Sequence, residues 1–218
     1  MKKSLVVALA CLNLAGCVSI NKQAMAPGSG KDLKDHSIAQ TQRPLPDFSA
    51  MTPTRAALGM IGGVMMIGEG NALIAGNKVV DPAGAIASSL AKELESAYGA
   101  KAVEQRVAVT ASEVERISEA GRASARFIVD VQTINWSFTY FPTDWTRYRV
   151  IYSAKARLID TTNKTTLAEG FCSRIPDSNA NAPSYDELTA NEAAMLKREL
   201  VVAAEHCAKT LKQEMLAL

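Results

Sequence analysis

Histidine is nearly missing from this chain: His36 and His206 are the only two in 218 residues. A histidine-rich metal site is excluded, and any Ser–His or Cys–His relay would have to use one of these two. His206 precedes Cys207 directly, but successive residues on a helix point about 100° apart and do not face each other. There is no G-x-S-x-G turn for a serine nucleophile. Gly68-Glu69-Gly70 lacks the Lys-Ser/Thr of a phosphate loop. Asp and Glu are scattered, so no carboxylate pair can be read. No catalytic residue, metal ligand or cofactor is assigned.

A strong charge of one sign is also missing, with 24 Lys plus Arg against 22 Asp plus Glu. Nothing in that balance points to nucleic acid. Cysteine is sparse, at positions 11, 17, 172 and 207, and no two of them have metal-ligand spacing. No apolar run reaches the roughly 20 residues of a membrane span.

What is present is concentrated at the start. Lys2 and Lys3 precede an apolar run over 5–14, broken only by Asn13, and Leu14-Ala15-Gly16-Cys17 follows. A basic head, a short apolar segment and small residues form a secretory signal over 1–16. The cysteine directly after Leu-Ala-Gly resembles the lipobox of bacterial lipoproteins. That resemblance implies acyl chains on Cys17, which becomes the first mature residue. Multiple chains anchor stably, because each buried methylene adds about 0.8 kcal/mol. Val18, rather than Asp, implies sorting to the periplasmic leaflet of the outer membrane. Lys2 and Lys3 leave with the signal, so the mature chain carries 22 charges of each sign. Export to an oxidising compartment makes Cys172 and Cys207 a candidate disulfide; two buried free thiols are the other reading.

Residues 17–54 read as a lipidated N-terminus and flexible tether, with Pro27, Gly28, Gly30, Pro44, Pro46 and Pro53 and little periodicity. Residues 55–80 are rich in glycine and methionine, with six glycines in 56–76 and Glu69 the only charge there. Gly59 and Gly63 form a GxxxG. The segment is read as a small-residue helix or loop packed on the domain, or as a membrane-contacting or self-associating element.

The domain itself is assigned to 81–218. Asp81 and Pro82 open a helix whose stripe is Ile86, Leu90, Leu94 and Tyr98, and Gly99 closes it. A short strand is expected over 103–109, and Thr110 with Glu113 reads as a capping box for a helix ending near Gly121. Residues 125–141 form a strand whose apolar positions switch from odd to even, requiring a bulge between Gln132 and Asn135. Strands over 147–160 and 167–175 follow. Ser184 and Glu187 read as a second capping box for the last helix, whose stripe includes Leu196, Leu200, Ala203, Cys207 and Leu211. The order predicts an α+β two-layer sandwich, with an antiparallel sheet of about four strands and helices on one face. Such an architecture with such an anchor is similar to periplasmic lipoproteins that assist assembly or transport, though no motif transfers residues.

Two features are candidate binding sites. Seven of the twelve aromatic residues lie between Trp136 and Tyr152. Most of these read as core, but the turn residues Phe141, Asp144 and Trp145 would form an apolar hairpin tip. Arg147, Arg149, Lys155 and Arg157 form a basic row on one strand. It is either paired with acids such as Asp130 and Glu169 or an anion-binding surface. The expected function is a non-enzymatic binding accessory for an envelope protein, lipid or glycan. Self-association into a homo-oligomer through 56–76 and an envelope hydrolase are the alternatives.

Overall fold

The computed structural model describes residues 21–216; the lipobox and Cys17 lie outside the described residues. The sheet is mixed and seven-stranded, which corrects the expectation of an antiparallel sheet of about four strands. β1 (Ser37–Gln42) and β2 (Ser49–Met51) precede three helices: α1 (Pro53–Ala56), α2 (Gly59–Gly76) and α3 (Ala83–Tyr98). β3 (Lys101–Ala102), β4 (Val107–Ala108) and α4 (Val114–Gly121) follow. The chain ends with β5 (Phe127–Phe141), β6 (Asp144–Asp160), β7 (Thr165–Arg174) and α5 (Tyr185–Leu216). β5, β6 and β7 are antiparallel as expected. β1 and β2 both run parallel to β5, and β1 is parallel to β3 and β4.

β1 and β2 come from the stretch read as a tether, and the strand expected over 103–109 is instead two short ones, β3 and β4. β1 escapes sequence reading because it does not alternate. Ile38 and Ala39 are adjacent, point to opposite sheet faces, and are both buried. A parallel strand covered on both faces loses the in–out pattern of a half-exposed one.

The antiparallel part follows its pattern closely. Pairing passes from Thr133–Ala154 to Asn135–Ser153. Ile134 is therefore the extra residue, inside the expected bulge. It lets Phe127, Val129 and Val131 share one face with Trp136 and Phe138. On that face pack α3, through Ile86, Leu90 and Leu94, and α5, through Leu196, Leu200, Ala203 and Leu211. Cys172 of β7 and Cys207 of α5 are disulfide-bonded, with Cα atoms 5.3 Å apart. α4 corrects the one-faced arrangement: Ile117 packs with Ala39, Ile128 and Ile159 on the opposite side of the sheet.

The Ser184 capping box forms, with Glu187 N–H donating to Ser184 Oγ at 3.2 Å and Ser184 N–H to Glu187 Oε2 at 2.7 Å. The Thr110 box does not. α4 starts later, behind Glu113, without a side-chain cap. α5 is broken at 190–193, where Asn191, Glu192 and Ala193 take left-handed φ values of 52°, 56° and 55°.

α2 packs on the loop into β2 along Gly62, Met66, Gly70 and Ile74. A Cβ on Gly70 would lie 2.1 Å from Phe48 O, and one on Gly62 1.8 Å from Arg55 O. Asn71 pins the helix by accepting from Phe48 N–H and donating to Asp47, both at 2.8 Å.

Candidate functional site

The basic row splits into separate environments. Arg157 is buried and donates to Asp130 Oδ2 through Nε at 3.2 Å and Nη2 at 2.7 Å. Its third nitrogen, Nη1, donates to Ser112 O at 2.8 Å. Arg43 straddles the same carboxylate, donating from Nε to Oδ1 at 2.8 Å and from Nη2 to Oδ2 at 3.1 Å. Burial alone would raise the Asp130 carboxyl, but the hydrogen bonds and charges of Arg43 and Arg157 hold it below its ordinary value. Lys155 pairs with Glu169 at 2.9 Å. Arg157 and Lys155 are thus structural, tying neighbouring strands together.

The hairpin tip also divides. Asp144 accepts from Thr146 N–H and Oγ1 and shapes the turn. Trp145 is 64% exposed and donates only to Pro142 O. Phe141, read with it as part of an apolar tip, is buried. The guanidinium of Arg149 lies over its ring, 5.1 Å from the centroid. The side chains part company because β5 and β6 shift register between Tyr140 and Phe141.

Arg147 and Arg149 meet the loop over 175–184. β7 pairs with β6 only from Tyr152 onward, leaving the first part of β6 open. The loop takes that place: Tyr148 N–H donates to Pro183 O at 2.8 Å. Arg147 Nη1 donates to Ala182 O at 3.0 Å and Arg149 Nη1 to Pro176 O at 3.2 Å. Between loop and sheet lies an open cavity of about 240 Å³, with Phe141, Tyr148, Arg149, Arg174 and Glu199 in its lining.

Two guanidinium groups converge there with donors unused. Arg149 Nε and Arg174 Nη1 are buried, and neither has a hydrogen-bond partner among the described residues. Arg174 Nη2 donates to Glu199 Oε2 at 3.0 Å. Arg149 has no carboxylate within ion-pair distance among the described residues, so two cations face one anion. Burial first, then the neighbouring Tyr185 and Tyr140, pushes the Tyr148 phenol above its ordinary pKa, so this ring stays neutral at neutral pH. A buried, unpaired donor on a charged group is costly, by more than the roughly 1–3 kcal/mol of a neutral one. Carboxylates and phosphates match guanidinium donors in charge and offer pairs of oxygens that suit the planar donor fork. The lining of this cavity thus carries an excess of cationic donors over carboxylates.

Arg174 was missed because the sequence shows it only as the polar end of a strand. Its meeting with Arg149 depends on the β6–β7 register, which places Arg174 opposite Tyr152. His206 is exposed, and Cys207 beside it is buried and bonded to Cys172. That geometry gives no thiol nucleophile. Among the described residues, no group of three or more His, Cys, Asp or Glu is placed to hold a metal.

No protein-family model matches this chain, and no curated protein matches it. Among solved structures it is similar to the PelC dodecamer from Paraburkholderia phytofirmans, with 12% identity over 91% of this chain and 97% of that one, at a TM-score of 0.40. It is also similar to lipoprotein GNA1162 from Neisseria meningitidis, with 16% identity over 80% of this chain and 98% of that one, at a TM-score of 0.32. Likeness at this level transfers no residue role and no function.

Proposed function

We propose that this chain is a lipid-anchored protein of the outer membrane's periplasmic leaflet that acts as a non-enzymatic binding accessory. Its ligand is an anionic group, carboxylate or phosphate, presented by an envelope protein, lipid or glycan. The observation that supports this reading is that Arg149 and Arg174 line one cavity, and each carries a buried donor, Nε and Nη1 respectively, with no partner among the described residues. The aromatic wall of Phe141 and Tyr148 suits a ligand with an apolar or sugar face beside its charge. The anchor rests on the lipobox and on Val18.

The test is titration calorimetry of the mature chain with inorganic phosphate and with glucuronate at low salt. Binding on the order of 1 mM, about −4 kcal/mol, is expected for one probe or both, weakening as salt rises. Arg149→Gln should weaken it at least tenfold with the thermal midpoint kept. No heat with either probe, or equal affinity in the variant, would contradict the reading.

Self-association is a second reading, favoured by the outward face of α2, where Met60 is 91%, Ile61 73% and Val64 74% exposed. Sedimentation of the mature chain distinguishes it by mass.

A further inference from the structure

What decides how the domain sits is how soon after Cys17 the chain joins the sheet. Asn21 is only four residues after Cys17. Gln23 already pairs with Glu169 on the outer edge of β7, exchanging two backbone hydrogen bonds of 2.8 Å. Six residues from Cys17 to that bridge reach at most about 20 Å. If Cys17 carries the acyl chains, the domain cannot stand off the membrane.

The direction of that strand matters equally. Gln23 is antiparallel to β7. The chain toward Asn21 therefore points to the Arg174 end of β7. Arg174 is opposite Tyr152, and Tyr152 is opposite Trp136. This is the end of the sheet at which β5 turns into β6.

The same end gathers the exposed apolar side chains. Trp145 sits in the turn itself, and Ile175, 54% exposed, directly follows β7. β2 runs parallel to Ser137–Thr139 toward this end. α1 follows, and α2 then returns along β2, with Gly70 against Phe48. The first half of α2 thus projects past the sheet, carrying Leu58, Met60, Ile61 and Val64 outward. β2, beside Ser137–Thr139, lies just beyond the level at which β7 ends, about three strand spacings or 15 Å across the sheet from the line of β7. The one charged residue of α2, Glu69, is paired with Arg55. No helix among the described residues is long and apolar enough to cross a membrane, so α2 would lie on a bilayer rather than span it.

We propose that this end of the domain, with the outer face of α2, Trp145 and Ile175, seats on the lipid bilayer that holds the acyl chains. The proposal rests on the lipidation of Cys17 given above. In place of the flexible tether read over 17–54, it gives a domain held at a fixed face. A tryptophan at the rim of an apolar patch suits the bilayer interface, where its ring is buried and its N–H stays near water.

The test uses the mature protein purified from membranes and reconstituted into phosphatidylethanolamine–phosphatidylglycerol vesicles with brominated acyl chains. Mass spectrometry of the N-terminal peptide reads lipidation separately. Trp136 is buried, so subtraction of Trp145→Phe isolates the signal of Trp145. Quenching of Trp145 by the brominated lipid, with loss of acrylamide access, is the expected result. The pair Ile61→Asp and Val64→Asp, at exposed positions, should at least halve that quenching without moving the thermal midpoint. A lipidated protein whose Trp145 stays open to acrylamide overturns the seat and leaves the anchor standing. A Trp145 shielded from both quenchers also overturns it, and shows a second copy covering the face. An unmodified Cys17 overturns the anchor and the seat together.

Discussion

Arg157 and Asp130 face each other across β6 and β5, and Asp130 Oδ2 takes two donors from Arg157 while Arg43 donates to both carboxylate oxygens. Removing that charge would leave two largely buried guanidinium groups unpaired. Asp130→Asn is therefore expected to cost about 3–5 kcal/mol of stability, read by urea unfolding at pH 7. The pH dependence has a definite sign. The Asp130 pKa is depressed in the folded state, so its contribution is present above the ordinary carboxylate value, about 3.9. It is lost as pH falls through the lower folded value. The stability gap between wild type and variant should narrow below about pH 4.

Phe141 and Trp145, neighbours in the same turn, should respond oppositely to truncation. Phe141 is 3% exposed and Trp145 64%. Phe141→Ala is expected to destabilise by about 3–5 kcal/mol. Trp145→Ala should stay within about 0.5 kcal/mol in the detergent-solubilised protein. Thermal unfolding of the two variants checks both.

The glycines of α2 should likewise divide. An added methyl at Gly63 or Gly68 meets nothing within 4 Å, whereas one at Gly70 meets the Phe48 carbonyl at 2.1 Å. Gly63→Ala should raise stability by up to about 1 kcal/mol through helix propensity. Gly70→Ala should lower it by forcing α2 off β2. Thermal midpoints and helical circular dichroism decide between these signs.

The Cys172–Cys207 bond closes a segment with a sequence separation of 35. On the chain-entropy account, its loss should cost about 3–4 kcal/mol. The double variant Cys172→Ala with Cys207→Ala should melt lower than wild type and be insensitive to reductant. Wild type under reductant should approach the variant.

Local chemistry was the legible part of this fold. Pro82, Gly99 and the stripe from Ile86 mark α3, and Asp81 accepts from Ala83 N–H at its start. The parity switch in β5 exposes the bulge at Ile134, and Ser184 with Glu187 marks the start of α5. What stayed hidden depends on long-range pairing. β1 is covered on both faces and short of large apolar residues, so its proline- and glycine-rich surroundings dominated the reading. The acids Asp130 and Glu169 could be named as partners for the basic row. Which arginines remain open could not, because that depends on where β7 ends and how the loop over 175–184 replaces it. Arg174 became visible only through that register.

The most direct measurement of the central claim is the side-chain ¹⁵N–¹H spectrum of arginine Nε–H groups in the mature protein. Arg149 is assigned by loss of its signal in Arg149→Lys. The account predicts a slowly exchanging Arg149 Nε–H that shifts saturably as phosphate or glucuronate is added, and reverts at high salt. An Arg149 signal that exchanges as fast as that of exposed Arg122 and is unmoved by either anion would contradict the claim.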